Sequence, residues 1–181
     1  MAKPIKKVSF EDENDKIVLG MCNEAKLSVS SVKYSRGHDG DCVNCNLKVG
    51  SKIVGTLWDD SWGGGFDVQD KSATVKVDGF NEAVQGIMKK APKTSFDLFP
   101  KGMSYSYDMV VDTMIRDFNI RKDCKKKILV KGTKIEHENA RVDELLFNVP
   151  FDGSESQKSQ VRKQMTKQGY ITYEIVNERL V

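Results

Sequence analysis

Both tryptophans of the chain fall in one short stretch, Leu57 to Val68 (LWDDSWGGGFDV), together with Asp59, Asp60, Asp67 and the run Gly63-Gly64-Gly65. A turn alone accounts for the glycines. The strand-like IVGTLW must reverse to meet FDVQD, and Asp60-Ser61 followed by glycines supplies the positive φ values that tight reversals need. It does not account for two large aromatics beside a flexible polar loop, a frequent makeup of protein recognition surfaces. Trp58, Asp60, Trp62, Gly63 and Gly64 are therefore the candidate protein-binding residues. Trp58, on the preceding strand beside Leu57, is expected to be at least half buried, and Trp62 to be exposed at the loop tip. Phosphate cradling fits poorly, because no Lys-Ser/Thr follows the glycines, no helix begins there, and the aspartates would repel the anion.

A second set is Cys22, His38, Cys42 and Cys45. The spacing His38-x3-Cys42-x2-Cys45 could wrap zinc, with Cys22 as a fourth soft donor. A zinc knuckle, however, carries its paired cysteines on a tight turn, and CVNCNLKV reads as a strand, on which positions three apart face opposite sides. The cysteines are read as buried small hydrophobes, and no metal or other cofactor is expected. His137 stands among Glu136, Glu138, Asp143 and Glu144; without a second helical histidine this reads as a solvated charged loop. No serine or cysteine accompanies either histidine in a nucleophile signature, so no catalytic residue is named.

The third set is basic. Lys158, Arg162, Lys163 and Lys167 occupy half of a helix whose inward stripe is Val161 and Met165, and Lys122, Lys125, Lys126 and Lys127 form a second cluster. Together they could follow a phosphate backbone. A solvated helix face is the preferred reading, since Asp and Glu are abundant elsewhere and no nucleic-acid motif spelling accompanies them.

The elements that must position these residues change character along the chain. KIVLG, KLSVSSVKY, CVNCNLKV, KIVGTLW and ATVKV, separated by Gly, Asp and Asn clusters, predict an antiparallel meander, with Gly50 in the turn between NLKV and IVGTLW. Phe80, Val84, Ile87 and Met88 predict a short helix capped by Asp78 or Asn81 and closed by Pro92. Tyr107, Val110, Val111, Met114 and Phe118 predict a longer one packed on the sheet, with Asp108, Asp112, Arg116 and Asp117 on its other side. Strands follow at ILVKG and ELLFNVP, joined through the polar TKIEHENARVD. Ser154-Glu155-Ser156-Gln157 spells a capping box for a helix ending at Gly169, and YITYEIV closes as a strand.

At 181 residues, with 29 Lys+Arg against 26 Asp+Glu and a net charge of +3, nothing extreme dictates a partner. Four cysteines are too few for a disulfide framework, which points to a reducing compartment. No secretory leader is legible in MAKPIKKVSF and no run approaches the roughly 20 apolar residues that span a bilayer, so no membrane partner is expected.

The run NCNLKVGSKIVGTLWDDSWGG resembles a pattern in small uncharacterised proteins of bacteriophages and mobile elements: an apolar strand, a V-G-K type turn, a second strand, then N-D-G-x-G-G. Here the last element stands as Asp59-Asp60-Ser61-Trp62-Gly63-Gly64, with Asp59 and Ser61 replacing the usual Asn and Gly. Such proteins continue with an amphipathic helix like SYDMVVDTMIRDF, a Lys-rich strand like KKKILVKG, a strand ending in Pro like LLFNVP, and a helix leading into a strand like YITYEIVNE. The resemblance carries no activity; it implies a phage-encoded accessory protein acting in the bacterial host cytoplasm.

Taken together, one α+β domain over residues 1–181 is expected: a mainly antiparallel sheet with an N-terminal meander, covered by two or three helices and ending in a strand–helix–strand unit. The expected function is non-enzymatic: to bind, and so inhibit or redirect, a host or defence protein. The alternatives are a nucleic-acid-binding accessory protein using the basic helix, and third a zinc-stabilised module or metal-dependent enzyme. The oligomeric state is left open.

Overall fold

A computed structural model describes residues 13–37, 40–59, 61, 65–96, 99–135, 141–150, 153–170 and 172–179. They fall in two compact units, one within Glu11–Asn119 and one within Ile120–Val181.

In the first unit, helix α1 (Glu13–Glu24) precedes strands β1 (Leu27–Arg36), β2 (Asp41–Val49), β3 (Lys52–Asp59) and β4 (Asp67–Asp70). The strands pair in chain order, each antiparallel to the next, as the expected meander. Alternation decides the faces: Val43, Cys45, Leu47 and Leu57 are buried while Asn44 between them is exposed. Gly50, at φ 57, turns β2 into β3 with Val49 opposite Lys52, a conformation that favours glycine. In β1 the register shifts between Ser30 and Lys33; Ser31 takes φ 54, and Val32 beside it is buried.

Two predicted strands are not strands. KIVLG lies inside α1, because Val18 and Cys22 are four apart and both fully buried, so one helical face reaches the core. Residues of ATVKV lie in the loop after β4. There Asp70 accepts hydrogen bonds from Lys76 Nζ (2.7 Å) and the Val77 amide (2.9 Å), and the side chain takes a donor that a ladder would use.

Helix α2 (Asp78–Lys90) buries Phe80, Val84 and Ile87 and ends before Pro92, as predicted. Its predicted caps do not form. Val77 stands at the N-cap without a side-chain bond, and Asn81 Oδ1 instead accepts from the Tyr107 hydroxyl at 2.8 Å. A small hairpin, β5 (Thr94–Phe96) with β6 (Phe99–Met103), was not foreseen; strands this short carry too little alternation to read. Helix α3 (Tyr107–Cys124) buries Val110, Val111, Met114 and Ile115, with Tyr107 and Phe118 packed at the margin. Its first residues join α1, α2 and the inner sheet face in one core.

In the second unit, β7 (Lys127–Ile135) is followed by β8 (Arg141–Pro150), helix α4 (Glu155–Lys167), β9 (Thr172–Ile175) and a short α5 (Val176–Arg179). The sheet order is β8-β7-β9, with β7 antiparallel to both neighbours. The strand–helix–strand unit is present, but β7 separates its two strands. Ser154 Oγ caps α4 by accepting from the Gln157 amide at 3.1 Å, while the Gln157 side chain goes to the Pro150 carbonyl (2.7 Å). That is half a capping box. Val161 and Met165 meet Ile128, Val130 and Ile175 to form the core of this unit. The two units carry separate sheets, where the sequence suggested one. Among the described residues no helix is long and apolar enough to cross a membrane.

Candidate protein-interaction face

Because side chains alternate along a strand, burial of Gly55 and Leu57 on the inner side of β3 sends Thr56 and Trp58 outwards. Pairing extends this row across the whole sheet: Lys33 opposite Asn44, Asn44 opposite Trp58, and Trp58 opposite Asp67. The next row is Ser30, Asn46, Thr56 and Gln69. Lys33, Asn44, Asp67 and Gln69 are exposed, and Trp58 is half-buried among them. Across these two rows the outer face is thus polar, with amides, hydroxyls and the charged Lys33 and Asp67 around one indole.

Trp58 nevertheless stands outside the hydrophobic core. Its ring is more than half covered, as expected, but it is absent from the hydrophobic residues that pack with Leu57. Asp60, Trp62, Gly63 and Gly64, the other candidate binding residues, lie outside the described residues.

What is described of the loop is tightly held. Asp59 Oδ1 accepts from the Ser61 amide at 2.8 Å, and Ser61 takes φ 64, an uncommon conformation for a residue with a side chain. Its hydroxyl is buried without a hydrogen-bond partner among the described residues. Gly37, before β2, leaves the room that this hydroxyl and the Cys42 thiol need, since a Cβ there would collide with both. On the far side of the loop Asp108 Oδ1, at the start of α3, accepts from the Phe66 amide at 3.3 Å.

The cysteines divide as the strand reading expected. Cys45 and Cys22 are fully buried, and burial pushes their thiols up to about 11 and about 12, so both are neutral at pH 7. Cys42 falls on the opposite face of β2 from Cys45 and is only partly buried. His38 and His137 lie outside the described residues, among which no group of three or more His, Cys, Asp or Glu is gathered as for a metal ion.

On α4, the basic half is partly neutralised. Lys158 Nζ lies 2.6 Å from Glu155, and Arg162 pairs with Glu178 of α5. Lys163 and Lys167 are exposed. Helical spacing shows the Glu155–Lys158 pair, three residues apart, but not the Arg162–Glu178 pair, because Glu178 reaches α4 only through the fold.

Sequence reasoning missed a buried polar cluster behind the sheet. Asp15 of α1, 7% exposed, accepts from the Tyr105 hydroxyl (2.7 Å) and from Arg116 Nη1 of α3 (2.8 Å). Arg116 Nε also stands 2.9 Å from Asp112, an ion pair without hydrogen-bond alignment. Burial works against the Arg116 charge, but Asp112 and Asp15 outweigh it and raise its pKa above the ordinary value. Partial burial raises the pKa of Asp112, whose side chain is half exposed, with Arg116 opposing. Asp112 and Arg116 are therefore not merely on a solvent side of α3.

No protein-family model, curated protein or solved structure matches the chain.

Proposed function

We propose that the protein is a non-enzymatic binding factor that docks a protein partner on the outer face of the β1–β4 sheet, with Trp58 as anchor and the adjoining loop beside it. The single observation behind this reading is the position of Trp58. A large aromatic sits outside the core, in the middle of an otherwise polar and accessible sheet face, the setting in which indoles act as interface anchors. Resemblance to phage and mobile-element proteins supplies the context: a phage-encoded factor that inhibits or redirects a host or defence protein in the bacterial cytoplasm. Asp60, Trp62, Gly63 and Gly64 belong to the same proposed surface.

The nucleic-acid alternative is weakened by the carboxylates that neutralise Lys158 and Arg162. Affinity capture from bacterial cells, with and without nuclease, tests the reading: one protein retained after nuclease supports it, whereas material lost on nuclease treatment favours the alternative.

A further inference from the structure

We infer that the Trp58–Asp67 pair on the outer sheet face takes an arginine side chain from a basic segment of the protein partner, an inference that rests on this face being the docking surface. Trp58 and Asp67 are directly opposed across β3 and β4. Opposed residues of an antiparallel pair hold their Cβ atoms roughly 4.5–5.5 Å apart, so the indole and the carboxylate stand side by side on one face. The indole presents a negative π face, and the carboxylate accepts two parallel hydrogen bonds. A guanidinium is planar enough to stack on the first while donating to the second; an ammonium is not.

The neighbouring carboxylates among the described residues are each engaged by the chain's own donors. Asp59 is held by the Ser61 amide, Asp108 by the Phe66 amide, and Asp70 by Lys76 and the Val77 amide. Asp67 is exposed, and its carboxylate has no ion pair or hydrogen bond among the described residues. The cation in its own row, Lys33, stands three strands away, roughly 14 Å at the usual strand spacing. That exceeds the screening length of about 8 Å at physiological ionic strength, so Lys33 leaves Asp67 uncompensated. Asn44, Asn46, Thr56 and Gln69 supply uncharged hydrogen-bonding groups for the rest of a peptide. A phosphate backbone is the wrong ligand here, since Asp67 would repel it.

The test uses the full chain and an acetylated, amidated Gly-Arg-Gly-Arg-Gly peptide, its citrulline isostere and its lysine analogue. Binding is read on the indole N–H resonance of Trp58, assigned with Trp58→Phe. The arginine peptide should shift this resonance saturably. The citrulline isostere, which keeps the shape but loses the charge, should bind at least about ten-fold more weakly, with lysine between them. Asp67→Asn, exposed and isosteric, should keep the folded spectrum and weaken the arginine peptide about five-fold or more. Equal binding of the citrulline peptide, no effect of Asp67→Asn, or no shift with any peptide would each overturn the arginine site. None of these would remove the docking face itself, which fails only if a folded Trp58→Ala protein still captures its partner at full strength.

Discussion

Arg116 is the residue on which the inner side of the first unit is most dependent. Its side chain is 23% exposed and lies between Asp15 and Asp112, while Asp15 also holds Tyr105. Removing one partner of such a pair leaves the other charge buried, which costs more than the pair contributes. Arg116→Met is expected to lower stability by about 2–3 kcal/mol, below the fully buried limit because the guanidinium is partly solvated. Asp112→Asn should cost clearly less. Its pKa is raised, so the native environment disfavours its ionised form, and neutralising it relieves part of that cost. Denaturant unfolding at pH 7 of the two variants distinguishes them; an Asp112→Asn loss equal to that of Arg116→Met would refute the asymmetry. Helical spacing placed Asp112 and Arg116 opposite the apolar stripe of α3. It could not reveal that α1 supplies Asp15, because KIVLG within α1 has strand-like composition. Trp58 has a similar history: LW at the end of an apolar strand is legible as half-buried, but which face holds the core depends on where Leu57 points.

At the scale of elements, the second unit turns on Asn177 of α5, 4% exposed. Its Nδ2 donates to the carbonyls of Cys124 and Lys127 (both 2.9 Å), and its Oδ1 accepts from the Leu129 amide (2.7 Å). One side chain thereby satisfies backbone groups at the end of α3 and the start of β7, where no ladder can. Asn177→Ala should cost about 2–4 kcal/mol, since it orphans several buried groups at once. Hydrogen exchange checks it: the Leu129 amide should lose protection, and unchanged protection would contradict the role. Nothing in VNERL announces this, because the three backbone partners are about 50 residues away in sequence. The meander, α2, α3 and α4 were legible because their apolar periods are long and local. The order β8-β7-β9 was not, since pairing between strands separated by a helix leaves no trace in either strand's own pattern.

For the whole molecule, the neutral thiols of Cys22 and Cys45 set an alkaline limit. Burial raises them from 9.0 to about 12 and about 11. The native state therefore holds these protons more tightly than the unfolded chain. Below about pH 9 both states are protonated and the thiols confer no pH dependence. As pH rises from there towards 11 and 12 the unfolded chain ionises first, so stability falls, by up to about 1.4 kcal/mol per pH unit for each thiol. Melting temperatures at pH 9, 10 and 11 should drop progressively, and the Cys22→Ala, Cys45→Ala double variant, though less stable, should show a shallower decline. The most direct test of function compares nuclease-treated capture by wild type and by Trp58→Ala. Because Trp58 lies outside the core but its ring is more than half covered, this substitution should cost about 2 kcal/mol of stability, less than loss of a core aromatic. It should nevertheless weaken partner binding by more than about 2 kcal/mol, as loss of an interface anchor does. A Trp58→Ala protein that folds and retains its partner with wild-type affinity would contradict the assignment of this face.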